Sequence, residues 1–184
     1  MTTTEPALEA PANLKRVTSD PAYGEFMAFL VDEANLLNDD RQLEWLELLT
    51  DDCTYRMPMR KSLFRRDGKG FDERTSHYDD DRLSLGMRVQ RNVTIRYAYD
   101  RDPAPRTRRL VANVVVHEAG VADEYAVTSA IVLLWSRFDT PGCEVFSAQR
   151  EDVIRRTPEG LRLASRLILL DQAAVPAHFT NVLI

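Results

Sequence analysis

Few side chains in this chain have the chemistry of a reactive centre, and their spacing narrows them further. His77, Tyr78 and Asp79 form one local grouping suited to acid–base work: an imidazole that titrates near neutral pH beside a phenol and a carboxylate. Adjacent residues seldom face one point, however, and Asp79, Asp80 and Asp81 also make sense as the start of a helix. His77, His117 and His178 lie about forty and sixty residues apart. Two histidines with a carboxylate can hold iron, yet nothing in this spacing favours it. His117, beside Glu118 at a strand end, reads as a surface residue. Cys53 and Cys143 are far apart and read as two buried free thiols in a reducing compartment. There is no phosphate-cradling glycine loop, no Gly-x-Ser-x-Gly, no Cys-x-x-Cys and no His-Glu-x-x-His.

A second grouping is cationic. Arg106, Arg108 and Arg109 follow Pro103 and Pro105, which exclude a helix interior or central strand, and precede the β-branched run from Leu110 to Val116. Arg106 and Arg108 stand two apart and share one face if the strand begins there. A guanidinium fork held this way suits carboxylates or carbonyls across a boundary. These two residues are therefore expected to make ion pairs within the chain or between subunits.

The elements that must position these groups change character at this arginine run. Residues 1–20 are rich in Thr, Ala and Pro, without periodicity, and read as a flexible N-terminal arm; residues 21–184 read as one domain. Ser19 or Asp20 can cap a helix with Pro21 in its first turn, carrying Phe26, Phe29, Leu30, Leu36 and Leu37. Leu43, Trp45, Leu46 and Leu49 predict a second helix ending near Thr50. A strand over Cys53 to Met59 contains Pro58 and should be an edge or bulged strand. Residues 60–77, basic and with Gly68 and Gly70, read as a loop. Asp80 or Asp81 can cap a helix from Arg82 to about Arg91.

Strands follow at Tyr125 to Phe138, at Cys143 to Arg156, and from Leu161 onward, separated by Asp139-Thr140-Pro141-Gly142 and Thr157-Pro158-Glu159-Gly160. Turns this short make an antiparallel meander. Helices grouped before strands make the class α+β, a curved antiparallel sheet with N-terminal helices packed on one face. Both faces of the 125–135 strand are small or apolar, as is the stretch 167–170, so another chain is expected to cover the outer face.

Composition excludes several roles. A chain of 184 residues with 44% hydrophobic content can bury one sizeable core. A net charge of −5 argues against a phosphate-seeking nucleic-acid binder. The longest apolar run, Ala130 to Trp135, is too short to span a membrane, and the N-terminus lacks the pattern of a signal peptide. The expected location is the cytoplasm.

Several clusters agree in order and spacing with one family. They are Phe29-Leu30 with Glu33-Ala34 and Leu36-Leu37, Trp45 with Leu48-Leu49, Met57-Pro58, and Pro105-Arg106-Thr107-Arg108 followed by Leu110-Val111 and Asn113-Val114. Arg150-Glu151-Asp152-Val153 with Arg155-Arg156, and Leu169-Leu170-Asp171-Gln172, complete the set. Over about Tyr23 to Ile184 the chain resembles the small (beta) subunit of aromatic-ring-hydroxylating dioxygenases, the Rieske-type non-haem iron oxygenases. It departs from the family pattern at Pro105, Arg109, Ala112 and Leu183-Ile184.

The resemblance implies a cone-shaped fold similar to nuclear transport factor 2 and scytalone dehydratase. It also implies a trimer supporting three alpha subunits, likewise written alpha3beta3, with the Rieske [2Fe–2S] cluster and mononuclear iron in the alpha subunit. NAD(P)H would supply electrons through a reductase. Arg106, Arg108, Asp171 and Gln172 become interface candidates. This chain itself would hold no cofactor and no catalytic or metal-binding residue. It would be a structural subunit of an enzyme that cis-dihydroxylates an aromatic compound in its catabolism. The alternative is a free-standing cone-fold dehydratase or isomerase using His77, Tyr78 and Asp79 inside the cup.

Overall fold

A computed structural model describes residues 15–17, 21–64, 66, 70–94, 104–139, 141–176, 179 and 182–184. The proposed caps Ser19 and Asp20, residues 1–14 of the arm, and His178 lie outside the described residues. Helix α1, Tyr23–Asn38, turns one side inward through Phe26, Phe29, Leu30, Glu33, Ala34 and Leu37, at the three- and four-residue spacing of an amphipathic helix. A single turn, α2 (Gln42–Leu46), buries Trp45 and Leu46. It stops before Thr50, which belongs to the next strand, so the second helix is shorter than the apolar spacing suggests.

The remaining elements are β1 (Leu49–Arg60), β2 (Phe71–Asp81), α3 (Arg82–Thr94), β3 (Arg106–Glu118), β4 (Glu124–Ser136), β5 (Glu144–Thr157) and β6 (Gly160–Leu170). The six strands form one curved sheet in the order β2-β1-β6-β5-β4-β3. Strands β3 to β6 are the expected meander, but β1 lies parallel to β6, so the sheet is mixed and mostly antiparallel. The parallel pair arises because β1 reaches β6 only after the whole meander has been laid down. Pro58 sits inside β1 at a register shift against β2, the bulge a strand proline demands.

The loop expected over residues 60–77 is shorter, because β2 already begins at Phe71. Polar residues dominate β2, which hides its strand character from an apolar-alternation reading. The helix start at Asp81 is as expected: its carboxylate accepts from the Ser84 amide at 2.8 Å, and Ser84 Oγ accepts from the Asp81 amide at 2.8 Å. Part of the arm is ordered on the far edge. Val17 donates to the Val116 carbonyl at 2.8 Å, and Arg16 bridges to His117.

Two bulges decide which side chains face the helices. In β3, Ala112 pairs with Ala130 but Val115 with Thr128, so β3 carries one extra residue there. Asn113 takes the left-handed turn, φ 52°. In β6, Leu163 pairs with Ile154 and Ser165 with Val153, leaving Ala164 as the extra residue. Each bulge inverts the strand's alternation. Arg109 therefore shares the buried side with Val114 and Val116, and Arg166 shares it with Leu161 and Leu163.

The two thiols differ. Cys53 is buried and Cys143 is exposed, which corrects the reading of both as buried. Burial pushes the Cys53 thiol up to about 12, so it stays protonated and unreactive at neutral pH. A thiol-reactive chromophore should therefore label one cysteine in the native isolated chain, Cys143, and a second only after denaturation. Two equivalents reacting at one rate would show that this packing around Cys53 is wrong.

Candidate functional site

The most concentrated chemistry lies between α1 and the inner face of the sheet. Alternation along β5 turns Arg150 and Asp152 inward with Phe146, Ala148 and Ile154. The bulged β6 adds Arg166, and Glu33 descends from α1 within its apolar stripe. All four are at most 2% exposed. Arg166 donates through Nε and Nη2 to Asp152, both at 2.9 Å, and through Nη1 and Nη2 to Glu33 at 2.6 and 2.9 Å. Arg150 reaches Glu33 at 3.2 Å and Ser129 Oγ at 3.1 Å, while Trp45 Nε1 donates to Glu33 at 3.1 Å.

Burial by itself would raise the Glu33 pKa. The Arg166 and Arg150 guanidinium groups, with the hydrogen bonds from Arg166 and Trp45, outweigh that and bring it down to about 2. Burial lowers Arg150, with Arg166 adding repulsion, whereas Asp152 and Glu33 more than offset burial at Arg166 and raise it. Burial also pushes the Tyr55 phenol up to about 12. Glu33, Tyr55 and Arg166 are thus held away from proton exchange near neutral pH. Their arrangement locks α1 to β5 and β6.

Residues 182–184 close the same space. Val182, Leu183 and Ile184 lie against this centre, with Leu183 and Ile184 buried. Tyr78 Oη donates to the Val182 carbonyl at 3.1 Å. Arg109 donates to the Leu183 carbonyl at 2.6 and 3.2 Å. Tyr55 Oη and Arg166 donate to the Ile184 main-chain oxygen at 2.6 and 3.0 Å.

The residues singled out from sequence are dispersed. Tyr78 points into the core, whereas Asp79 is exposed. His77 is the extra residue between Ser76 and Tyr78 at the β1–β2 irregularity; its Nε2 is buried without a hydrogen-bond partner among the described residues, and burial lowers its pKa. Arg106 and Arg108 do share a face, an exposed one. Arg106 donates to the Phe138 carbonyl at 2.6 Å and to Ser136 Oγ at 3.4 Å. Asp171 accepts from Ser147 Oγ at 2.7 Å and Gln172 Oε1 from the Ser147 amide at 3.3 Å, so both tie the end of β6 to β5.

Sequence reading for chemistry passed over Glu33, Asp152, Arg150 and Arg166. The signal was present as a charged residue inside an otherwise apolar stripe at three of these positions. Among the described residues no three His, Cys, Asp or Glu side chains gather into a metal site. Cys53, held as a thiol inside the core, and the exposed Cys143 do not fit the paired ligands of a Rieske centre.

Comparison with known proteins follows the same geometry. Residues 32–177 match the family described as "Ring hydroxylating beta subunit". The chain is 36% identical to chlorobenzene dioxygenase subunit beta of Cupriavidus sp. (strain PS12) over 160 residues, 84% of each chain. It is 34% identical to benzene 1,2-dioxygenase subunit beta of Pseudomonas putida (strain F1) over 151 residues, 79% of this chain and 80% of that one. Among solved structures, naphthalene 1,2-dioxygenase with indole bound superposes with a TM-score of 0.76 at 21% identity, covering 88% of this chain and 84% of that one. A putative scytalone dehydratase from Novosphingobium aromaticivorans shares the fold, with a TM-score of 0.59 at 11% identity, covering 82% and 84%.

Proposed function

The chain belongs to the ring-hydroxylating dioxygenase beta-subunit family, and from that premise we propose that it is the structural subunit of a multicomponent enzyme that cis-dihydroxylates an aromatic compound for catabolism. In this reading a single domain, residues 21–184, forms a cytoplasmic trimer beneath three alpha subunits, with residues 1–20 as an arm. No described helix is long and apolar enough to cross a membrane. The alpha subunit holds the Rieske cluster and the mononuclear iron, and NAD(P)H supplies electrons through a reductase.

The observation that carries this reading is the filled interior. Where a free-standing enzyme of this shape needs an open cup with a titratable group, this chain has a closed ion network and the buried Leu183 and Ile184. Catalytic chemistry is then the partner's. The outer sheet face supports a role in assembly: Leu110 and Val145 are 54% and 55% exposed, beside Val132, Leu134 and the exposed Arg108.

Co-expression with a Rieske-type alpha subunit is the direct test. The two chains should co-purify in equal amounts, and iron and visible absorption should track the alpha subunit. Light scattering of the isolated chain should report about three times its 21.0 kDa mass. A monodisperse monomer, or about one equivalent of iron on the isolated chain, would sink the proposal.

A further inference from the structure

We propose that the two edges of the sheet meet between copies of this chain: Arg106, Arg108 and Leu110 of β3 dock against Asp79, Asp81, Leu83 and Met87 of a second copy. The inference rests on the trimeric subunit role and names the surfaces that close the trimer. Strands β2 and β3 stand at opposite edges of the six-stranded sheet. Contact between two different surfaces is head-to-tail, and it forms a closed ring when its rotation allows.

The two edges match in charge and in spacing. Arg106 and Arg108 are exposed two apart on β3, and Asp79 and Asp81 are exposed two apart on β2. At about 3.3 Å per strand residue, each pair spans roughly 6.6 Å. Neither Arg108 nor Asp79 has an ion pair among the described residues. Around the aspartates, Arg88 is taken by Asp80 at 2.8 Å, and Arg82 folds back toward Gly86 with its Nε buried. Arg56, opposite Asp79 on β1, is half-buried with its Nε out of solvent. Around the arginines, the neighbours across β4 and β5 are Ser136, Leu134 and Val145, none of them acidic. Each charged pair also continues into apolar side chains. Leu110 is 54% exposed; Leu83 and Met87, four apart on the outward side of α3, are 71% and 61% exposed. Opposite charges would set the register of such a contact, and the apolar side chains would supply its burial.

The test exchanges the charges and follows mass by light scattering over a dilution series. Arg108→Asp alone and Asp79→Arg alone should each raise the concentration at which the trimer dissociates by at least about tenfold, because like charges then face each other. The chain carrying both exchanges should return to within about threefold of the unaltered one. A second measurement does not depend on those variants folding. A chain with Arg108→Cys, Asp79→Cys and Cys143→Ser, treated with a short bismaleimide, should give a covalent ladder that stops at three chains. If the unaltered chain is trimeric and both single exchanges leave it so, or the double exchange stays as weak as the singles, this pairing is wrong while the subunit role stands. A monomeric unaltered chain removes both. Trimers that persist in Arg108→Asp but no longer co-purify with the alpha subunit would give the arginine face to that partner and overturn the pairing. A ladder absent from the cysteine variant of a trimeric chain overturns it as well.

Discussion

Replacing Arg166 by alanine is expected to cost about 3–5 kcal/mol of stability, the largest effect of any single substitution in the chain, because it leaves two buried carboxylates facing each other without their shared cation. At 2–4 °C per kcal/mol for a chain of this size, the melting temperature should fall by roughly 10 °C. Arg166→Lys should recover little of it, since one ammonium cannot donate to Glu33 and Asp152 along the three directions that the guanidinium uses.

The pH dependence should change with it. Arg166 and Arg150 hold Glu33 down at about 2 against its ordinary 4.5. Its contribution is therefore fully present above pH 4.5 and is lost as pH falls through 2. Without Arg166 that depression shrinks, and acid unfolding followed by circular dichroism should begin at higher pH than in the unaltered chain. A variant that melts within about 1 kcal/mol of the unaltered chain would show that the network contributes nothing net, as some buried ion groups do.

The second large effect separates three neighbouring arginines. Arg109→Ala should destabilise the isolated chain by about 1–3 kcal/mol, the cost of orphaning the buried Leu183 carbonyl, since Asn38 Oδ1 keeps its bond from the residue 109 amide. Arg106→Ala and Arg108→Ala remove exposed side chains and should leave chemical denaturation of that chain unchanged within about 0.5 kcal/mol. Their effect should appear in assembly. If the exposed pair meets carboxylates across a subunit boundary, dilution should dissociate those variants at higher concentration than the unaltered complex. Equal dissociation would mean the pair is merely solvated. Loss of folding in Arg106→Ala but not Arg109→Ala would show that the face assigned to this strand is inverted.

Much of the architecture was legible in the chain itself. Apolar residues three and four apart define α1, the short turns at 139–142 and 157–160 force neighbouring antiparallel strands, and Asp81 before an apolar helical pattern marks the start of α3. The family clusters carried the fold further than periodicity alone could. Period-two alternation even shows that Arg150 and Asp152 share a face. What it cannot show is a bulge. Alternation without the extra residue Ala164 would place Arg166 on the outer face with Arg162. Without the extra residue in β3, Arg106 and Arg108 rather than Arg109 would share a side with Val114 and Val116.

Only the tertiary structure decided that α1 crosses the sheet where Glu33 meets Arg150 and Arg166, and that residues 182–184 end among Tyr55, Tyr78 and Arg109. The reason is physical. Alternation is set by each residue's own neighbours along the chain, whereas Glu33 meets Arg150 and Arg166 from more than a hundred residues away, and the buried charges are tolerable only once all of them have met.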